Sequence, residues 1–169
     1  MTLHEHRSVR GVLLGHVGSM VLDPEADADG PTADAARPGA RRAVNALRTA
    51  GLPVGAVAER PSSDHRVEAL VGPLDGWFPM HGGAADESTV RGAAAALGVA
   101  PAELVVIGDG GPDMRAAHAA GAAGILVPSE RTRDDAVDDA DVVVPSLVDA
   151  VALVLHAIRR GVPRAVDMR

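Results

Sequence analysis

At 169 residues the chain is long enough for one domain with a real core and too short for two comfortable ones. Hydrophobic residues make up 47%, and Trp77 and Phe78 are the only aromatics, so small aliphatic side chains must fill the core by close packing. The formal charge of −7 excludes a basic patch for nucleic acid and disfavours acidic membranes, the absence of cysteine excludes thiolate chemistry, and all 16 cationic residues are arginines, which excludes lysine-dependent mechanisms.

Taken in chain order, Met1 to Arg10 is polar and has no apolar stretch of the signal-peptide kind. No apolar run approaches the ~18 residues that would span a bilayer, so a cytoplasmic protein is the expectation. Gly11–Leu14 reads as a first strand and runs into a glycine-rich turn, Gly15–Ser19. Residues 23–37 are acidic, rich in Ala, Asp and Pro, and without a large apolar side chain, which predicts a flexible loop. Pro38 is a favoured first-turn residue and Gly51 a favoured residue past a helix end. The helix between them places Ala40, Val44 and Leu47 on one face.

Val54–Ala58 is a second strand, and Ser63 caps a short helix ending before Gly72. Gly76–Met80 is a short third strand. Asp86 caps the next helix, where Val90, Ala94 and Leu97 recur at helical spacing. Leu104–Ile107 is a strong buried strand, and Pro112 opens a helix that stops at Gly121. Gly124–Val127 and Asp141–Val144 are two more strands. Leu147, Val151, Val154, Leu155 and Ile158 form the core face of a last helix. Strands alternating with helices predict an α/β fold: a doubly wound, Rossmann-like parallel sheet with helices on both faces, in a single domain over residues 1–169.

Ligands of such sheets bind beyond the carboxyl ends of the strands. Two loops there carry chemistry, Gly15–Ser19 after the first strand and Gly108–Asp113 after Leu104–Ile107. Asp109 and Asp113, beside a glycine-rich turn at a helix start, suit magnesium, a hard cation that takes oxygen ligands. The plainer account is a carboxylate favouring a helix N-terminus next to an ordinary turn. In the first loop, backbone N–H groups of Gly15, His16, Gly18 and Ser19 could cradle a small anion.

The stretch Leu97-Gly98, Pro101, Val105-Val106-Ile107-Gly108-Asp109, Asp113, Ala117 and Ala120-Gly121 resembles the last motif of the haloacid dehalogenase (HAD) superfamily. The resemblance continues through Gly124–Val127 and Asp139–Leu153, and upstream through Ala36–Ala40 to Gly51. The short spacing before Pro38 is similar to the capless, histidinol-phosphatase-like branch, because about fifteen acidic-loop residues cannot make a cap domain. The resemblance implies an Asp-x-Asp-Gly-Thr turn after the first strand, whose first Asp attacks phosphorus and whose second is acid and base. It also implies a hydroxyl residue ending the second strand, a following Lys or Arg, and magnesium on the last acidic motif. The metal and the cation let an anionic carboxylate approach an anionic phosphate.

Against that pattern Gly15 stands at the nucleophile, Val17 at the acid/base and Ala58 at the hydroxyl residue. The cation position falls near Ala84. Only Asp109 and Asp113 remain. The expectation is a HAD-like pseudoenzyme, inactive as a phosphatase, that binds a small anionic or phosphorylated ligand or a protein partner, with weakly held magnesium. Trp77 and Phe78 are the candidates for a partner surface, with buried strand positions as the plainer reading. The alternative is a magnesium-dependent hydrolase of a small phosphomonoester, with His16, Asp27 or Asp29 replacing the nucleophile. His118 lies on the helix out of line with Asp113. Arg91 is the nearest substitute for the missing lysine, but mid-helix by its spacing, and Arg159 and Arg160 complement a helix C-terminus.

Overall fold

The computed structural model describes residues 8–16, 21, 38–58, 64–81, 85–130 and 132–161. Its strands are β1 (Gly11–His16), β2 (Val54–Ala58), β3 (Gly76–Pro79), β4 (Leu104–Gly108), β5 (Ala123–Leu126) and β6 (Val142–Val143). Its helices are α1 (Ala40–Thr49), α2 (Asp64–Val71), α3 (Glu87–Ala96), α4 (Gly111–Ala120) and α5 (Leu147–Gly161), with short 3-10 turns at Pro101–Glu103 and Asp134–Ala136. All strand pairings are parallel, in the order β3-β2-β1-β4-β5-β6. The chain winds outward from β1 to β3, then returns to β4 beside β1 and winds the other way. The crevice between the carboxyl ends of β1 and β4 is therefore the switch point where such sheets take ligands.

Strand side chains alternate between two apolar layers. Val12, Leu14, Val54, Ala56, Val105, Ile107 and Ile125 join Val44 and Leu47 of α1 and Val151 and Val154 of α5 on one face. Leu13, Val57, Leu104 and Val106 join Val90, Ala93 and Ala94 of α3 and Ala116, Ala117 and Ala120 of α4 on the other. Both faces being covered explains why the central strands read as unbroken aliphatic runs. Each fully buried Leu or Val contributes about 2 kcal/mol. Alanines on both α3 and α4 let the two helices approach each other closely over the second layer.

Strands β3, β5 and β6 differ from their expected bounds by a residue at one or both ends, and two other boundaries move further. The expected turn at Gly15–Ser19 starts later, because β1 continues through Gly15 to His16. The β1–β2 register jumps between Leu14 and His16, so Gly15 is an extra residue with no partner across β2. Helix α1 starts at Ala40, and Gly39 before it takes a left-handed φ of 82°. A side chain on Gly39 would also meet Val148 of α5, whose Cγ2 lies 2.6 Å from the Cβ position. Among the described residues no helix is long and apolar enough to cross a membrane. The 23–37 loop, Val17, Gly18, Ser19, Asp27, Asp29, Ser63 and Ala84 lie outside the described residues.

Candidate functional site

Strand β4 delivers Gly108 to its carboxyl end, and the next residues turn directly into α4. Pro112 sits in the first turn, where its missing N–H costs nothing, and Asp113 follows it. This turn brings Asp109 and Asp113 together as the only charged residues buried among those described, 8% and 5% exposed. Burial, and then the charge of Asp109, push the Asp113 carboxyl up to about 6. Two backbone N–H groups oppose that shift by donating to Asp113, those of Asp109 and Ala85. Ala85 belongs to the segment leading into α3, so Asp113 ties that segment to the β4 loop.

Asp109 is gripped from the β5 side. The Ser129 hydroxyl donates to Asp109 Oδ2 at 3.0 Å, and the Thr132 hydroxyl donates to the Asp109 carbonyl oxygen. The Val127 N–H donates to the Gly108 carbonyl at 2.8 Å, which carries the end of β5 alongside the acidic turn. Spacing arguments missed Ser129, Thr132 and Ala85. A Ser and a Thr three residues apart mark a local turn, but nothing in that pattern says which carboxylate the turn will face.

On the β1 and β2 side of the crevice, the described residues Gly15 and Ala58 carry no acidic or hydroxyl side chain. Gly15 lies beside Gly108, and a Cβ built on it would stand 2.7 Å from Asp113 Oδ2 and 3.1 Å from Gly108 Cα. The space that a side chain on Gly15 would need is thus filled by the carboxylate of Asp113. Gly108 is closer still, its Cβ position lying 2.6 Å from Asp113 Cβ. Ala58 ends β2 with no hydroxyl, its carbonyl accepting from the Met80 N–H. His16 ends β1 at the same edge of the sheet.

No arginine described pairs with either aspartate. Arg91 is mid-helix, bonded to Glu87 Oε1 at 2.8 Å, and Arg115 is engaged by Asp139. His118 turns away to Asp141 at 3.0 Å, while His81 lies 3.4 Å from Asp86. Arg159 and Arg160 occupy the last turn of α5. Trp77 donates through Nε1 to Glu68, and both Trp77 and Phe78 are half-buried against the core, one on each face of the sheet.

Magnesium fits this donor set in charge and chemistry. Two hard carboxylates with no cationic partner among the described residues offer oxygen ligands, and magnesium is commonly held by one or two carboxylates with waters completing its shell. Among the described residues no third His, Cys, Asp or Glu joins them. The protein-derived part of such a site would be Asp109 and Asp113, and a bound ion would offset their mutual repulsion and attract an anion into the crevice.

Residues 82–150 match the HAD-hydrolase-like family. A 63-residue stretch is 48% identical to phosphoglycolate phosphatase from Thiobacillus denitrificans, and it covers 36% of this chain and 28% of that protein. The chain therefore matches less than a third of that relative's length. Among solved structures, the cobalt-bound deoxy-D-mannose-octulosonate 8-phosphate phosphatase of Haemophilus influenzae superposes with a TM-score of 0.70 over 91% of each chain, at 17% identity. A HAD family hydrolase from Deinococcus radiodurans with bound phosphate and sodium gives a TM-score of 0.60 at 26% identity, over 72% of this chain and 60% of that one.

Proposed function

We propose that this chain, which belongs to the haloacid dehalogenase superfamily, is a non-hydrolytic member that binds a small phosphorylated or otherwise anionic ligand through a divalent cation held by Asp109 and Asp113. One observation carries the reading. At the end of β1, where the superfamily's phosphatases place an attacking carboxylate, the chain has Gly15, and the Asp113 carboxylate fills the space a side chain there would need. Without that attacking oxygen no phosphoaspartate can form. The electrostatic half of the site remains, with two buried carboxylates on a turn fixed by backbone and hydroxyl donors.

Such an arrangement repels a bare anion and accepts one bridged by a metal. The reading is supported by the phosphate and sodium held by the Deinococcus radiodurans hydrolase and by the cobalt held by the Haemophilus influenzae phosphatase. The ion is magnesium in this reading, held weakly because two carboxylates are all that the described protein supplies. A cytoplasmic setting and a single domain without a cap belong to the same reading.

Thermal unfolding with inorganic phosphate and magnesium tests it. The expected result is stabilisation that requires both together and disappears in Asp109→Asn. Stabilisation by phosphate alone, unchanged in Asp109→Asn, would contradict a metal-bridged ligand.

A further inference from the structure

The loop after β5 supplies the hydroxyl donors that fix the acidic turn, and it holds Asp109 through two of its residues. The Ser129 hydroxyl donates to Asp109 Oδ2 at 3.0 Å. The Thr132 hydroxyl donates to the Asp109 carbonyl oxygen at 2.5 Å and accepts from the Ser129 N–H at 2.7 Å. The Thr132 N–H in turn donates to the Ser129 carbonyl at 3.0 Å. Ser129 and Thr132 thus close a turn on themselves and hold Asp109 by its side chain and its main chain at once. The N–H of the same Asp109 supports the Asp113 carboxylate, so one turn governs the placement of both acids.

We propose that Ser129 and Thr132 are positioning residues for the cation site, orienting Asp109 so that its second carboxylate oxygen is presented to a divalent ion. The proposal rests on the reading that Asp109 and Asp113 hold that ion. A ligating carboxylate that is itself hydrogen-bonded loses less freedom when the metal arrives, and it keeps one oxygen aimed at the site. With two carboxylates and no third acid among the described residues, affinity depends on how well those two are held. Ser129 orients the side chain, and Thr132 fixes the main chain from which the side chain projects.

The test is Mn2+ binding to the full chain, read from the free-ion electron paramagnetic resonance signal, with metal-free unfolding measured beside it. Ser129→Ala is expected to weaken Mn2+ binding about tenfold, the lower end of the range seen when partners of metal ligands are removed. Ser129→Thr, which keeps the hydroxyl, restores it, and Thr132→Val gives a loss of similar size. A purely structural role would lower the unfolding midpoint of Ser129→Ala and leave its Mn2+ affinity at the wild-type value, and that outcome overturns the proposal. Absence of Mn2+ binding by the wild-type chain overturns it as well. That result would leave the loss of hydrolysis untouched, because that claim rests on Gly15 and is judged by phosphate release.

Discussion

The carboxyl ends of β1 and β4 are neighbours in the sheet, and they have kept different things. On the β4 side, Asp109 and Asp113 are buried and supplied with donors from Ser129, Asp109 and Ala85. On the β1 and β2 side, the strand backbones are in place while Gly15 and Ala58 present nothing that can react. The charge-holding half depends on α4 and the β5 loop, neither of which needs a carboxylate on β1. The geometry of the acidic half is therefore independent of what side chain stands at Gly15. The β1 backbone persists for a different reason, since Val12, Leu13 and Leu14 fill both apolar layers.

The largest expected effect comes from adding one methyl group on each side of the crevice. Gly108→Ala drives its Cβ against Asp113 Cβ, an atom fixed to the helix backbone. A cost of about 3 kcal/mol is expected, at the upper end for overpacking. Gly15→Ala meets chiefly the end of the Asp113 side chain, which can yield, and about 1 kcal/mol is expected. Denaturant unfolding measures both, and equal costs would remove the distinction between a fixed half and an adaptable one.

Next is the charge on Asp113. Its folded-state carboxyl titrates near 6 against an ordinary 3.8, through burial first and Asp109 second. The folded state therefore holds the proton more tightly than the unfolded chain. Without metal, stability is highest at low pH with respect to this group, falls as pH rises from about 4 through about 6, and stays low above that. At about 1.4 kcal/mol per unit the ionised group costs about 3 kcal/mol at pH 7, so Asp113→Asn stabilises the metal-free protein by about 2 kcal/mol after some loss of hydrogen bonding. Unfolding measured across pH 4–8 checks this, and a flat wild-type profile that Asp113→Asn leaves unchanged would refute it.

Asp86 gives the opposite sign and the smallest effect. It caps α3, and hydrogen bonds from the Ser88 hydroxyl and the Thr89 N–H hold its carboxyl down at about 2. Its contribution is present above its ordinary pKa and is lost as pH falls towards 2. Asp86→Asn, which can still cap, is expected to flatten that acid limb slightly and to change nothing at pH 7. Two acids at helix starts would then respond to pH in opposite senses, one as a cap and the other as a buried site.

Nearly every element was legible in the sequence. The aliphatic runs were short and continuous, and the helical repeats placed Val44, Leu47, Val90, Ala94, Val151 and Val154 correctly in the core. Gly15 and His16 were misplaced, because a bulge adds a residue to a strand without changing its composition. Asp109 and Asp113 were legible as a pair through their spacing around a glycine-rich helix start. Their grip was not, since Ser129 and Thr132 come from another strand's loop and meet Asp109 only after β5 pairs with β4. The filled space beside Gly15 was also hidden, because an absent side chain does not say what stands in its place.

The most direct measurement is phosphate release across a broad panel of phosphomonoesters with magnesium, run beside Asp109→Asn. The account predicts no turnover above that variant for any substrate. Robust release that vanishes in Asp109→Asn would contradict it and show that another group, with His16, Asp27 and Asp29 the first to substitute, attacks phosphorus in place of the missing carboxylate.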